Sequence, residues 1–290
     1  MTKKEKEKLK YINSIIYFSD THVGCRMALC PDIVSLDGGG TYNASDYQKI
    51  IKAWWDEFWY DIVPKWTHGE PYAVIFGGDG IDGNHHNTTT QWTHNLGDQV
   101  RAAKELLAPI VKLCEGRYYH VRGTEAHVGQ SAVEEEKLAF ELGAIPNKEG
   151  QYARYVIWKM IGSKKRTKDG FLLNVLHHIG TTGSMAYESS AIMAELVTAY
   201  SEAGRWERRP PDVVLRAHRH RCIKVEVPTA KQRGIAMTSP GWQGKTPLTH
   251  RIVGARQSEP QFGGVLVRVS SEGELYTRHW TRSPERPEEE

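Results

Sequence analysis

Short apolar runs that stop abruptly at polar residues organise the first half of this chain. Residues 14–18, SIIYF, form a β-branched and aromatic run that halts at Ser19-Asp20, the pattern of a buried strand delivering polar groups at its C-terminal end. Residues 72–76, YAVIF, stop in the same way at Gly77-Gly78-Asp79, and residues 118–121 stop at Arg122-Gly123-Thr124-Glu125-Ala126-His127. An irregular stretch with Pro31 and Gly38-Gly39-Gly40 separates the first run from a helix predicted over residues 47–63, with Asp46 as its N-cap. In that helix Ile50, Ile51, Trp54, Trp55, Phe58 and Ile62 recur at three- and four-residue spacings, making one broad apolar face for the core. A second long helix, residues 95–114, lies between the second and third runs, so the order is βαβαβ; a shorter helix is predicted at 134–142.

The second half is richer in strands. Residues 152–160 and 171–176 are expected to pair antiparallel around a turn at 162–170 that carries Lys164, Lys165, Arg166 and Lys168. A helix at 185–200 and a strand at 213–215 come next, then β-type runs at 223–227, 235–238, 264–269 and 274–279. An α/β class results: two packed mixed β-sheets flanked by helices, with active residues on loops at strand ends. The expected organisation is a basic extension at 1–10, one domain over 11–282, and a proline-rich charged tail at 283–290 expected to be disordered.

With 290 residues, 39% of them hydrophobic, the chain can bury a substantial core. A net charge of +3 does not demand a polyanionic partner. No long apolar run suggests a membrane span, and the opening MTKKEKEKLK lacks the apolar stretch of a signal peptide, so a soluble cytoplasmic protein is expected. Four scattered cysteines without C-x-x-C spacing suggest neither a zinc knuckle nor a disulfide framework. The 13 histidines are more informative, because many sit just beyond apolar runs.

The polar segments that close the apolar runs are Asp20-Thr21-His22, Gly78-Asp79-Gly80-Ile81-Asp82, Gly123 to His127, His177-His178, and Ala217-His218-Arg219-His220. Residues two apart in an extended segment share a face, so Asp20 with His22, and His218 with His220, are each expected to grip one cation. Mixed oxygen and nitrogen ligands suit manganese, iron, cobalt, nickel or zinc better than magnesium or calcium.

This ordered set, spanning residues 14–222, resembles the calcineurin-like metallophosphoesterases. Their pattern is Asp-x-His, Gly-Asp-x-x-Asp, Gly-Asn-His-Asp/Glu, a lone His, and Gly-His-x-His. The resemblance implies a metallophosphoesterase-like four-layer sandwich and two divalent transition-metal ions, manganese foremost, with iron, zinc, nickel or cobalt as alternatives. It places Asp20, His22 and His220 on one metal and His177 and His218 on the other, with Asp79 bridging and Asp82 holding a ligand or loop in place. It also implies a metal-bridging hydroxide attacking phosphorus in line. His177, the first residue beyond its apolar run, is preferred to His178, which becomes an orienting neighbour.

The third block departs from the family pattern. Thr124 takes the asparagine position as a weaker oxygen ligand, with Glu125 or Asn84 as alternatives, and His127, two residues late, is the expected general acid. His85 and His86 are alternative proton donors. Residues 19–24, SDTHVG, are also similar to the opening of nuclease subunits of double-strand-break repair complexes. Arg122, Arg219 and Arg221 are candidate phosphate clamps, and Trp92, Trp242 and Tyr187 candidate base-stacking surfaces. The expected activity is therefore hydrolysis of a phosphate ester, with a phosphodiesterase or nuclease acting on nucleotide or nucleic acid favoured. A phosphomonoesterase and a catalytically impaired metal-binding scaffold are the competing readings.

Overall fold

The computed structural model describes residues 12–163, 165–180, 187–230, 233–251 and 258–284. The expected 1–10 extension, Lys164, the first two residues of the helix expected at 185–200 and residues 285–290 of the expected tail lie outside them. Strands run in chain order as β1 (Ser14–Phe18), β2 (Ile33–Ser35), β3 (Thr41–Asn43), β4 (Ala73–Phe76), β5 (Tyr118–Val121), β6 (Ala153–Arg154), β7 (Ile157–Ile161) and β8 (Phe171–Val175). They continue as β9 (Val213–Arg216), β10 (Lys224–Pro228), β11 (Arg233–Thr238), β12 (Phe262–Val269) and β13 (Leu275–Arg282). The helices are α1 (Asp46–Glu57), α2 (Val63–Thr67), α3 (Leu96–Leu113), α4 (Glu125–Val128), α5 (Val133–Glu141), α6 (Glu188–Arg205) and α7 (Pro247–Arg251).

Two mixed sheets result, ordered β13-β12-β1-β4-β5-β6 and β10-β11-β9-β8-β7, besides the small β2-β3 hairpin. In the first, β1, β4, β5 and β6 run parallel and β12 returns antiparallel beside β1. In the second, β8, β9 and β11 are parallel, with antiparallel β7 and β10 at the edges.

The period-two alternation of strands explains the layering. Ile15 and Tyr17 of β1 point into a core shared with Leu173 and Val175 of β8, Leu215 of β9 and Met237 of β11, so the two sheets face each other. Ile16 and Phe18 point the other way, onto Trp55 of α1, Leu107 of α3 and Leu138 of α5. On the far face of the second sheet, Val214 and Ala236 pack on Ile192 and Leu196 of α6. The order is helix, sheet, sheet, helix, the four-layer sandwich that the sequence motifs implied. Among the described residues no helix is long and apolar enough to cross a membrane.

Local details differ from the expected elements. Ser45, not Asp46, is the N-cap of α1: its hydroxyl accepts from the Gln48 amide while the Gln48 side chain accepts from the Ser45 amide. After Glu57 the helix widens into a π-helical turn, Phe58–Ile62, before α2, and Ile50 lies exposed outside the apolar face. The strand expected at 152–160 is two strands: β6 pairs with β5 in the first sheet, and after Tyr155-Val156 the chain crosses to pair β7 with β8 in the second. The stretch expected to be irregular carries the β2-β3 hairpin. In the basic turn, Arg166 is committed to Glu70 at 2.6 Å and to the Val269 carbonyl at 2.7 Å.

Candidate metal centre

Parallel strands in register deliver their polar residues at one level. Phe18 pairs with Phe76 at the ends of β1 and β4, and the loops beyond continue side by side: Asp20 N donates to Gly78 O at 2.9 Å and His22 N to Asp79 O at 3.1 Å. Beyond β8 and β9 the pairing likewise continues as Ala217 N donates to His177 O at 2.9 Å. Two further bonds, Trp242 N to Asp20 O at 2.8 Å and Gln261 N to His220 O at 2.7 Å, lock the first and last motif loops to the segment before β12.

The side chains do not converge for the reason expected from sequence. Asp20, His22, Asp79, His218 and His220 have φ of 57°, 42°, 57°, 70° and 51°, the left-handed region, rather than an extended backbone. Such conformations are uncommon for residues with a Cβ and persist only where surrounding structure enforces them. His218 and His220 therefore turn to different places, although sequence spacing put them on one cation.

Among the described residues three neighbouring groups of possible ligand atoms share members in turn: Asp20, His22 and His220; His22, Asp79 and His127; and Asp79, His177 and His218. In the first, His220 Nε2 is 3.3 Å from Asp20 Oδ1 and 3.2 Å from His22 Nε2. In the third, His177 Nε2 is 3.0 Å from Asp79 Oδ2. Asp79 Oδ2 also lies 3.9 Å from His22 Nε2, so it stands between the two outer groups. Thr124 Oγ1 sits 3.2 Å from His177 Nε2, 3.3 Å from His178 Nε2 and 3.4 Å from His218 Nδ1.

The outer contacts turn the ligand atoms inward. His177 Nδ1 donates to Gly77 O at 2.8 Å, so in the neutral imidazole the lone pair is on Nε2, which faces Asp79. His22 Nδ1 faces Asp82 Oδ1 at 3.4 Å, and Asp82 is held by Gln91 Nε2 at 2.6 Å and Gln243 Nε2 at 3.1 Å. The Thr124 amide donates to Asp79 Oδ1 at 2.6 Å, and the Ser19 hydroxyl to Asp20 Oδ2. The opposite oxygens, Asp20 Oδ1 and Asp79 Oδ2, are buried without a hydrogen-bond partner. Two inward carboxylate oxygens without a hydrogen-bond partner among imidazole nitrogens suit a cation, because a buried anionic oxygen is costly unless something positive satisfies it. The donor set fits divalent transition metals.

Charge is unevenly distributed over the imidazoles. Burial opposes a charge on His22, but the Asp20, Asp82 and Asp79 carboxylates override it and raise the group to about 10. Burial likewise opposes a charge on His177, and Asp79 overrides it, raising the group to about 9. His127 and His218 are pushed down to about 4, by burial first and then by the positive charge of His22 and His177 respectively. Against the penalty of burial, His220 and His22 hold Asp20 well below the usual carboxylate range. His177 and His127 do the same for Asp79.

His127 reaches the centre, but its Nδ1 donates to Asp82 O at 2.8 Å. Its Nε2 is then an acceptor, and the second proton that a general acid needs there is opposed by burial and by His22. His178, exposed beside Thr124, lies at the rim. Glu125 is exposed and joins none of the ligand groups found among the described residues. Asn84 is exposed too, its amide donating to His94 O at 2.7 Å. His85, edge-on to His127 and 3.5 Å from Asp82 Oδ1, forms a further group with those two residues.

Other expected contacts are directed elsewhere. Arg122 donates to Ala153 O at 2.8 Å and lies over the Tyr155 ring at 4.4 Å, so its guanidinium serves β6 rather than the centre. Arg219 reaches Gly180 O and Arg221 reaches Glu188. Trp242 is fully buried in the core and Trp92 stacks on Tyr42, which removes both as base-stacking surfaces; Tyr187 is exposed. Residues that sequence reasoning missed include Gln91 and Gln243, which hold Asp82, and Glu135, which accepts from the Asp79 amide.

No family model matches the chain, and no curated protein matches it. Among solved structures, Vps29 from Chaetomium thermophilum aligns over 95% of this chain and 100% of its own at 11% identity, with a TM-score of 0.35. The Thermotoga maritima protein TM1076 aligns over 93% and 100% at 13% identity, TM-score 0.37. Sulfate thiohydrolase SoxB from Thermus thermophilus aligns over 94% of this chain and 57% of its own at 12% identity, TM-score 0.40.

Proposed function

We propose that this chain is a calcineurin-like metallophosphoesterase that hydrolyses phosphate esters at a two-cation centre. The observation that carries the reading is the position of Asp79 Oδ2, buried, without a hydrogen-bond partner, and shared between a His177 and His218 group on one side and a His22 group on the other. In this reading Asp20, His22, His220 and Asp79 hold one divalent transition-metal ion, manganese foremost. Asp79, His177, His218 and the Thr124 hydroxyl hold the second. When bound, such a pair supplies charge neutralisation at the phosphate oxygens and a shared water of lowered pKa as the in-line nucleophile.

The chain's own residues prepare that chemistry. Asp82 points His22 Nε2 inward, and the Gly77 carbonyl does the same for His177. His127, its Nδ1 donating to Asp82 O, stands edge-on to His22 beside Asp79, a positioning contact. His178, exposed and 3.3 Å from Thr124 Oγ1, stands beside the His177 and His218 group as an orienting neighbour.

A phosphodiester, as in nucleotide or nucleic acid, is the favoured substrate class on the strength of residues 19–24. A phosphomonoester is the second reading, favoured by the loss of Trp92 and Trp242 as stacking surfaces. Hydrolysis of bis-aryl and mono-aryl phosphate with added manganese separates them. Preference for the bis-aryl ester is expected, strong preference for the monoester replaces the nuclease reading, and turnover of neither by protein that holds two ions leaves a metal-binding scaffold.

A further inference from the structure

Both oxygens of the Glu135 carboxylate are turned toward the loops that carry the centre. Glu135 lies in the first turn of α5 and is 1% exposed. Its Oε2 accepts from the amides of Asp79 at 3.2 Å and Gly123 at 3.3 Å, and its Oε1 from the amide of Gly80 at 3.2 Å. Oε1 is also 2.6 Å from Nε2 of His120, a fully buried imidazole whose Nδ1 is 3.1 Å from the Tyr118 hydroxyl. Backbone amides converging from neighbouring turns make a concavity for acceptor oxygens. Here the Glu135 side chain fills it.

The amides belong to two loops, one after β4 and one after β5, which approach so closely that only glycine fits at the contact. A Cβ on Gly78 would stand 2.7 Å from Gly123 N, and one on Gly123 would stand 2.1 Å from Asp79 Oδ1. Across this contact the Thr124 amide binds Asp79 Oδ1, leaving Oδ2 to face the ligand groups, while the Thr124 hydroxyl stays beside His177 and His218. The loop that carries His220 is tied instead through Gln261.

We infer that Glu135 is a positioning residue that fixes Asp79 against Thr124 and thereby sets the cation pocket of Asp79, Thr124, His177 and His218 more strongly than the other, in which Asp79 is joined by Asp20, His22 and His220 on supports of their own. The inference rests on the two-cation reading. A Glu135→Gln variant keeps one acceptor oxygen and turns an NH₂ group toward amide donors, so the clamp loosens without a change of size.

The test is calorimetric titration of the metal-free full chain with Mn²⁺, wild type against Glu135→Gln, with Glu136→Gln as a control that removes a neighbouring charge from outside the clamp. Two sites are expected in wild type and in the control. In Glu135→Gln one site is retained and the other weakened about 10- to 100-fold. Hydrogen exchange of the metal-free proteins supplies a second readout: slow exchange at the Asp79, Gly80 and Gly123 amides in wild type, accelerated in Glu135→Gln, with β1 amides unchanged. Two wild-type-like sites in folded Glu135→Gln, or equal weakening of both, overturns the inference. Should that variant not fold, wild-type exchange decides: protection of the three amides supports the clamp and free exchange overturns it. A wild type that binds fewer than two ions refutes the underlying reading instead, while its amide exchange still judges Glu135.

Discussion

Asp20, His22, Asp79, His218 and His220 each hold a backbone conformation that costs about 1 to 3 kcal/mol for a residue with a Cβ. Strain repeated at five clustered polar residues indicates a site whose shape is enforced by its surroundings, and the surroundings are visible: Asp82 behind His22, the Gly77 carbonyl behind His177, Glu135 behind Asp79. Such outer contacts set ligand orientation as much as the ligands do. Asp82→Asn keeps the size of the side chain but removes one of the charges that raise His22 to about 10. Its Mn²⁺ affinity is expected to fall about 10- to 100-fold, measured by titration, with far-UV circular dichroism unchanged. An unchanged affinity would show that Asp82 does not orient His22 for a metal.

At the scale of elements, the N-cap of α1 offers a quantitative check. Ser45→Ala removes the hydroxyl that accepts from the Gln48 amide and should lower unfolding stability by about 1 kcal/mol in denaturant titrations, whereas Asp46→Ala, one residue inside the helix, should cost less. The sequence showed β1 and β5 to the residue and α3 within one residue at each end, because each is an unbroken apolar run or periodic face closed by a strong polar signal. It hid the break between β6 and β7, since one β-type run crosses from one sheet to the other and alternation carries no sign of which partner each half will find. At the site the residues were legible and the geometry was not: Asp20 and His22 were recognisable as a pair, but their left-handed backbone is imposed by pairing with the Gly78 to Gly80 loop. Tertiary contacts also decided His127, whose Nδ1 is taken by a carbonyl distant in sequence, and Trp242, whose exposure no local pattern reports.

Across the whole molecule, the two sheets serve as a frame that brings the ends of β1, β4, β5, β8 and β9 to one level, so the proposed ligands, spread over residues 20–220, meet. Both sheets contribute: Asp20, His22, Asp79 and Thr124 lie beyond strands of the first, His177, His218 and His220 beyond strands of the second. Cations bound across that junction would tie the two halves together, because a ligand that binds only the folded state stabilises it. The thermal midpoint is accordingly expected to rise on adding Mn²⁺ to metal-free protein and to fall back with a chelator, while Asp79→Ala should show little of that rise. The most direct test of the bridging carboxylate is elemental analysis of wild type and Asp79→Ala after equilibration with excess Mn²⁺ and removal of the free ion. Two ions per wild-type chain and a clear loss in the variant are the predicted result; equal metal content in the two proteins would contradict a bridging role for Asp79.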